Sequence, residues 1–324
     1  MVYLMITQWR STPAWSYFLL LSLYLCLVFT DAHAGNRRHK LKYQDITRYY
    51  FVHIPPQHQD KYALVINLHG GGGQGRGQEE FSEMDKTADR HGFYVVYPNG
   101  SGKLQDRLLT WNAGSCCGYA MEQHIDDVGF ISKVIDVMIR KYPIDPQRVY
   151  VTGMSNGAMM AYYLAEKLPN RIAAIAPVAG GRMPDTSKPL KPMPILHFHS
   201  LDDPRALYHG GLGPPFPFTN KRVQHPDIDA VLAAWAKING CRDERKQVDE
   251  RNVVNDKTTQ TARLFVYEGC QHAPLELWQY DHTGHVWPGG KQRYMTRILG
   301  PGTKVIDANE QMWQFFQAFR VRAP

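Results

Sequence analysis

The chain of 324 residues, 44% hydrophobic and 21% charged, has the composition of a globular protein, and it shows no internal repeat or low-complexity stretch, which excludes a repeat array or a disordered chain. Its formal charge of +7 comes from scattered lysines and arginines with no run longer than two, so the basic balance points to no nucleic-acid partner.

Residues 1–34 read as a secretory signal. Arg10 marks a basic start, residues 17–29 form a short apolar run, and Ala32-His33-Ala34 is a small-x-small cleavage site. The apolar run is shorter than the ~20 residues that span a bilayer, so cleavage is expected rather than a membrane anchor. Residues 35–324 are then expected to form one catalytic domain in a secreted or periplasmic protein. Export leaves Cys116, Cys117, Cys241 and Cys270 in an oxidising compartment, where three pairings are possible. Cys241 follows a predicted helix and Cys270 a predicted strand, so a bridge between them is expected, with Cys116 and Cys117 joined to each other or free.

Residues 47–54 read as an outer strand stopped by Pro55-Pro56. Residues 62–68 are apolar except for Asn67, as in a strand covered on both faces. They run into His69-Gly70-Gly71-Gly72-Gly73, a loop that can aim backbone N–H groups at a developing oxyanion. Gly71 is the expected donor, with Gly72 second. A phosphate cradle would need a following Lys-Ser or Lys-Thr, which the chain lacks here. A helix over 81–91 and a strand over 93–97 complete a parallel crossover. The Trp111 to Gly118 stretch is expected to be a constrained wall, and Asp126 and Asp127 to cap a helix over 128–138.

Residues 149–152 have strand composition and residues 158–168 helix composition, with Gly153-Met154-Ser155-Asn156-Gly157 between them. This G-x-S-x-G spacing makes Ser155 the candidate nucleophile and the N–H of Asn156 the second oxyanion donor. Further buried strands are expected over 172–178 and 194–198. His197 and His199, two apart on the latter, read as packed histidines in preference to a metal pair. The next turn carries Asp202 and Asp203, where a triad acid is expected in the chain order serine, acid, histidine. His225 is expected to open a helix extending through 228–239. After strands over 262–267 and 275–280, the last loop offers His282 and His285 as the base. A final helix over 307–319 buries Met312, Phe315, Phe316 and Phe319.

Several stretches together resemble the secreted esterases and polyhydroxybutyrate-depolymerase-like proteins grouped with feruloyl and acetylxylan esterases: Leu68-His69-Gly70, Trp111 to Gly118, Asp126 to Phe130, Gly153 to Gly157, Asn239-Gly240-Cys241 and Gly284 to Gly289. The resemblance implies an α/β-hydrolase fold, with a mostly parallel central sheet and helices on both faces, and a triad of Ser155, Asp203 and His285. It favours Asp203 over Asp202 through an H-G-T-x-D-P pattern that here reads His199-Ser200-Leu201-Asp202-Asp203-Pro204. It also implies substrate contact near Trp287; with Trp111 and the loop 210–217, Trp287 would form an aromatic cleft. The expected activity is hydrolysis of carboxylic esters through an acyl-enzyme, on feruloyl or acetyl groups of a polysaccharide first and a polyhydroxyalkanoate second. A peptidase or a non-catalytic secreted binding protein of the same fold are the rivals. No metal or other cofactor is expected. The partners are an ester-bearing polymer or a small ester, with no membrane contact after signal cleavage and the chain acting as a monomer.

Overall fold

Strands buried on both faces form the centre of the protein, and two sets of helices sandwich them. The computed structural model describes residues 36–216, 220–255, 258–293 and 295–321, so the expected signal segment lies outside the described residues. In chain order the elements are β1 (Arg37–Tyr43), β2 (Ile46–His53), β3 (Tyr62–Leu68), α1 (Gly75–Ser82), α2 (Met84–His91), β4 (Phe93–Pro98), α3 (Gly118–Glu122), α4 (Asp127–Lys141), β5 (Ile144–Met154), α5 (Asn156–Lys167), β6 (Ala174–Val178) and β7 (Ile195–Ser200). A two-stranded arm, β8 (His209–Leu212) with β9 (Gln224–Asp227), then leads into α6 (Ile228–Asn239), β10 (Arg245–Asn255), β11 (Thr258–Tyr267), β12 (Leu275–Tyr280), α7 (Thr296–Leu299) and α8 (Ala308–Phe316).

The main sheet has the order β1-β2-β4-β3-β5-β6-β7-β12-β11-β10. From β4 to β12 neighbouring strands run parallel, whereas β2 joins one side antiparallel and β11 and β10 extend the other. Alternation along β3 sends Leu64, Ile66 and Leu68 into one core and Ala63 and Val65 into the other. The first core is completed by α4, α5 and α6, the second by α1, α2 and α8. On α4 the stripe Phe130, Ile131, Val134, Ile135 and Met138 is buried at helical spacing, each side chain contributing about 2 kcal/mol. This is the α/β-hydrolase arrangement expected from the sequence.

Several elements depart from the expected pattern. The helix expected over 81–91 is two helices, broken where Glu83 turns left-handed at φ 51°. The break serves Asn67, buried in an apolar strand: its side-chain N–H donates to Ser82 Oγ at 3.1 Å, and its carbonyl accepts from Gln78 at 2.9 Å. Of the two aspartates expected to cap α4, Asp126 does so by accepting the N–H of Gly129, whereas Asp127 is buried against Arg48 at 2.6 Å and accepts the N–H of Asn112. His225 lies in β9, not in a helix. Strands β1 and β10 are new relative to the sequence reading. Both are rich in charge, because edge strands expose one side and carry no apolar run.

Cys241, just after α6, is bonded to Cys270, 29 residues on, and Cys116 is bonded to Cys117. Closing a loop of that length removes denatured-state entropy equivalent to roughly 3 to 4 kcal/mol. The C241S/C270S double variant is therefore expected to lose about 3 kcal/mol in urea unfolding with its fold retained; an unchanged midpoint would contradict this.

Candidate active site

The elbow expected to carry the nucleophile is built where β5 hands over to α5. Ser155 sits at φ 57°, ψ −117°, a conformation that costs an L-residue energy and is held only by its surroundings. A Cβ on Gly153 would meet the Leu68 carbonyl oxygen at 2.7 Å, and one on Gly157 would meet it at 2.3 Å, so both positions exclude any side chain. The N–H of Ser155 donates to Val178 O at 2.9 Å, tying the turn to β6.

The glycine loop lies against this turn. A Cβ on Gly70 would touch the Ser155 side chain at 3.4 Å, and one on Gly71 would lie 3.7 Å from Asn156 Cβ. Gly72 donates its N–H to Leu109 O at 2.8 Å and is thereby committed elsewhere. Among the described residues the N–H of Gly71 has no such partner, and that of Asn156 belongs to the first turn of α5, whose donors have no acceptor within the helix. His69 fixes the loop from beneath. Its Nδ1–H donates to Gly70 O at 2.8 Å and its Nε2 accepts the N–H of Gly100 at 2.9 Å, so only one neutral tautomer fits. Burial, opposed by the Gly70 bond and aided by nearby Arg48, lowers its pKa to about 4.

Trp111 does not line a cleft. It is fully buried; its Nε1–H donates to His69 O at 2.9 Å, and its backbone exchanges hydrogen bonds with the Asn156 side chain at 2.7 and 3.1 Å. Trp287 is likewise buried, 1% exposed, with its Nε1–H given to Asn309 at 2.9 Å. The expected substrate contacts are thus corrected: both tryptophans brace the site from within the core. An indole with a buried polar partner gains more from packing than it could at an open rim.

Across the sheet edge, Asp203 and His285 meet. Nδ1–H of His285 donates to Asp203 Oδ2 at 2.7 Å, and the other carboxylate oxygen accepts the N–H groups of Arg205 and Ala206 at 2.7 and 2.8 Å. Burial alone would raise the Asp203 pKa, but the charge and hydrogen bond of His285, with His199 and the Arg205 N–H, overcome it and leave the pKa lowered. Asp202 faces the other way, accepting the His282 N–H at 2.6 Å and so pinning the loop that carries His285. His282 contributes that backbone contact; the ring paired with an acid is that of His285. Ser155, Asp203 and His285 all follow strands that end at one edge, with Met154 opposite Val178, Val178 opposite Phe198 and Ser200 opposite Tyr280.

Behind Asp203 the two histidines of β7 form a buried chain. His199 Nε2–H donates to Ala206 O at 2.7 Å, which obliges its Nδ1 to accept from His197 Nε2 at 3.1 Å, and His197 Nδ1 to accept from Tyr162 OH at 2.9 Å. Burial lowers both imidazole pKa values, so this chain is uncharged and holds the turn carrying Asp203. His225 also lies close by: burial takes its pKa down to about 4, and the charges of Asp203 and His285 act on it. Only Asp203 and the two strand histidines carried a sequence signal here; Arg205 and His225 are placed by tertiary structure.

A strained serine elbow, a glycine loop beside it and a buried acid–imidazole pair on one edge of a parallel sheet define an α/β hydrolase. The chain superposes on the acetyl xylan esterase from Aspergillus awamori with a TM-score of 0.57 at 16% identity, over 87% of this chain and 99% of that one. Residues 48–244 match the family described as esterase PHB depolymerase, and the chain belongs to it. It is 34% identical to feruloyl esterase B of Piromyces equi over 72% of this chain and 41% of that protein, and 33% identical to a bifunctional acetylxylan esterase/xylanase of Neocallimastix patriciarum over 47% and 21%. The chain thus spans less than half the length of these two relatives.

The neutral His69 gives the fold a pH signature. Its pKa falls from 6.5 in the unfolded chain to about 4, so the unfolded state takes up the proton first and stability is lost as pH falls through that window. The loss from this group is about 3 kcal/mol. Chemical denaturation at pH 7 and pH 4 is expected to show a smaller difference in H69Q than in the parent by about that amount; equal differences would refute the assignment.

Proposed function

We propose that the protein is a serine esterase that hydrolyses carboxylic esters through an acyl-enzyme. The observation carrying this reading is the buried 2.7 Å bond from His285 Nδ1–H to Asp203, which leaves Nε2 as the basic nitrogen on a loop at the same sheet edge as Ser155. Nε2 takes the Ser155 hydroxyl proton as Oγ attacks the ester carbonyl. Asp203, its second oxygen already occupied by two N–H groups, stabilises the imidazolium without accepting its proton. The N–H groups of Gly71 and Asn156 receive the oxyanion, each worth about 3 kcal/mol in the barrier. The protonated His285 then gives its proton to the departing alcohol, and water repeats the sequence to free the acid.

The substrates read best from the relatives are feruloyl or acetyl esters on polysaccharide, with a polyhydroxyalkanoate second, as the family's description suggests. We read the protein as secreted or periplasmic from its first 34 residues; among the described residues no helix is long and apolar enough to cross a membrane.

A fluorophosphonate probe is expected to label the parent and not S155A. D203N is expected to lower kcat by about 10,000-fold, by analogy with other triads, and D202N far less, since it loses only a loop contact. Labelling that survives S155A, or equal losses for the two aspartates, would refute the triad. Comparing methyl ferulate, acetylated xylan and 3-hydroxybutyrate oligomers orders the substrates, and turnover of the oligomers alone would reverse the preference.

A further inference from the structure

We propose that Phe216 determines acyl specificity: its ring closes the acyl side of the oxyanion pocket and limits the size of the acyl group that Ser155 can accept. This rests on the serine-esterase reading and gives one residue of the loop 210–217, which the sequence placed only at a general aromatic cleft, a defined role on the acyl side. The ring edge lies on the glycine loop, where a Cβ on Gly71 would come within 3.2 Å of Phe216 Cε1 and 3.5 Å of Cζ. Gly71 is the loop's oxyanion donor, so the ring stands over the place where an ester carbonyl would be held.

The direction follows from the tetrahedral intermediate. Its carbon carries the serine oxygen, the oxyanion, the departing alkoxide and the acyl chain. The oxyanion is directed at the Gly71 and Asn156 N–H groups and the alkoxide at His285, which must protonate it. The acyl chain is left to run past the glycine loop on the side away from the imidazole. Phe216 covers that loop at Gly71. Leu108, 66% exposed, reaches it at Gly72, where a Cβ would lie 4.0 Å from Leu108 Cδ2. Two apolar side chains thus border the acyl path, whereas Trp111 and Trp287 are sealed in the core.

Phe216 is also held in place. Its N–H donates to Lys221 O at 2.9 Å, and Gly213 N–H donates to Val223 O at 2.9 Å, extending the β8–β9 arm toward the site. Arg205 Nη2 donates to Pro215 O at 3.1 Å, while its own backbone N–H rests on Asp203 at 2.7 Å. The ring is therefore referenced to the triad acid through one residue, so its height above Gly71 is set by the same turn that orients the base.

The test is a ladder of p-nitrophenyl esters, acetate, butyrate, hexanoate and ferulate, with the leaving group constant, on the parent, F216A, F216L and F216W. Truncation is expected to raise kcat/KM for the long and aromatic acyl esters relative to acetate by about 10-fold or more, F216W to lower the same ratio, and F216L to fall between. A second ladder of acetates with methyl, ethyl and naphthyl alcohols is expected to keep the parent's order. Thermal melting identifies any variant that fails to fold, and F216L retains bulk if F216A is lost. Equal fold-changes on every acyl ester, or a shift that follows the alcohol, would overturn the assignment with the esterase reading intact. Absence of both ester turnover and fluorophosphonate labelling in the parent would overturn the two together.

Discussion

The site depends on one backbone conformation, the φ 57°, ψ −117° turn at Ser155. Such a residue stores on the order of 1 to 3 kcal/mol of strain and persists only if its neighbours leave it nowhere else to go. Here the neighbours are the last carbonyl of β3 and the one that follows it. The oxygens of Leu68 and His69 press into the spaces where Gly153 and Gly157 lack side chains, so the end of β3 and the elbow are packed as one object. The glycine loop leaves β3 from that same point. The expected nucleophile and the expected oxyanion donor are consequently placed by a single close contact between two adjacent parallel strands.

From that contact the remaining parts are referenced by buried hydrogen bonds. The indole of Trp111 holds the His69 carbonyl, its backbone holds the Asn156 side chain, and Asn112, next in the chain, is held by Asp127, which pairs with Arg48. Breaking such a buried ion pair leaves a charge uncompensated, so the wall it supports has no inexpensive alternative position. In the proposed mechanism, donors fixed in this way would need no reorganisation when charge appears in front of them, which is the physical source of oxyanion stabilisation. The bulk of Trp111 is spent on this rigidity, which explains why it lies in the core, whereas Trp287 ties the loop after His285 to Asn309.

The parts legible in the sequence were those decided locally. Buried parallel strands read as unbroken apolar runs, the elbow as a glycine–serine spacing, and the Cys241–Cys270 bridge as the expected one of three possible pairings. What stayed illegible was decided by distant partners. The charged strand β10 becomes a strand because β11 pairs with it, and the break at Glu83 exists because Asn67 needs Ser82 and Gln78. Trp287 followed an intact motif, yet its direction is set by Asn309 on a helix 22 residues later. Adjacent Asp202 and Asp203 were separable only by resemblance; the structure separates them by the bonds each accepts.

Those two aspartates divide a task that one could not perform. The loop proposed to carry the base needs its backbone held and its ring oriented. Asp202 takes the first through the His282 N–H, helped by Leu299 O and Pro301 O, which accept from His285 and Gly284. Asp203 takes the second, and its second oxygen is fully engaged by the turn at Arg205 and Ala206. His199 approaches the same carboxylate, with Nε2 3.6 Å away, but burial keeps it neutral and its proton goes to the Ala206 carbonyl. The hydrogen bond from a ring to Asp203 Oδ2 is therefore that of His285. A charged imidazole at position 199 would compete for that oxygen, so the buried chain through His197 to Tyr162, which saturates every nitrogen in the neutral state, leaves Oδ2 to the ring of His285.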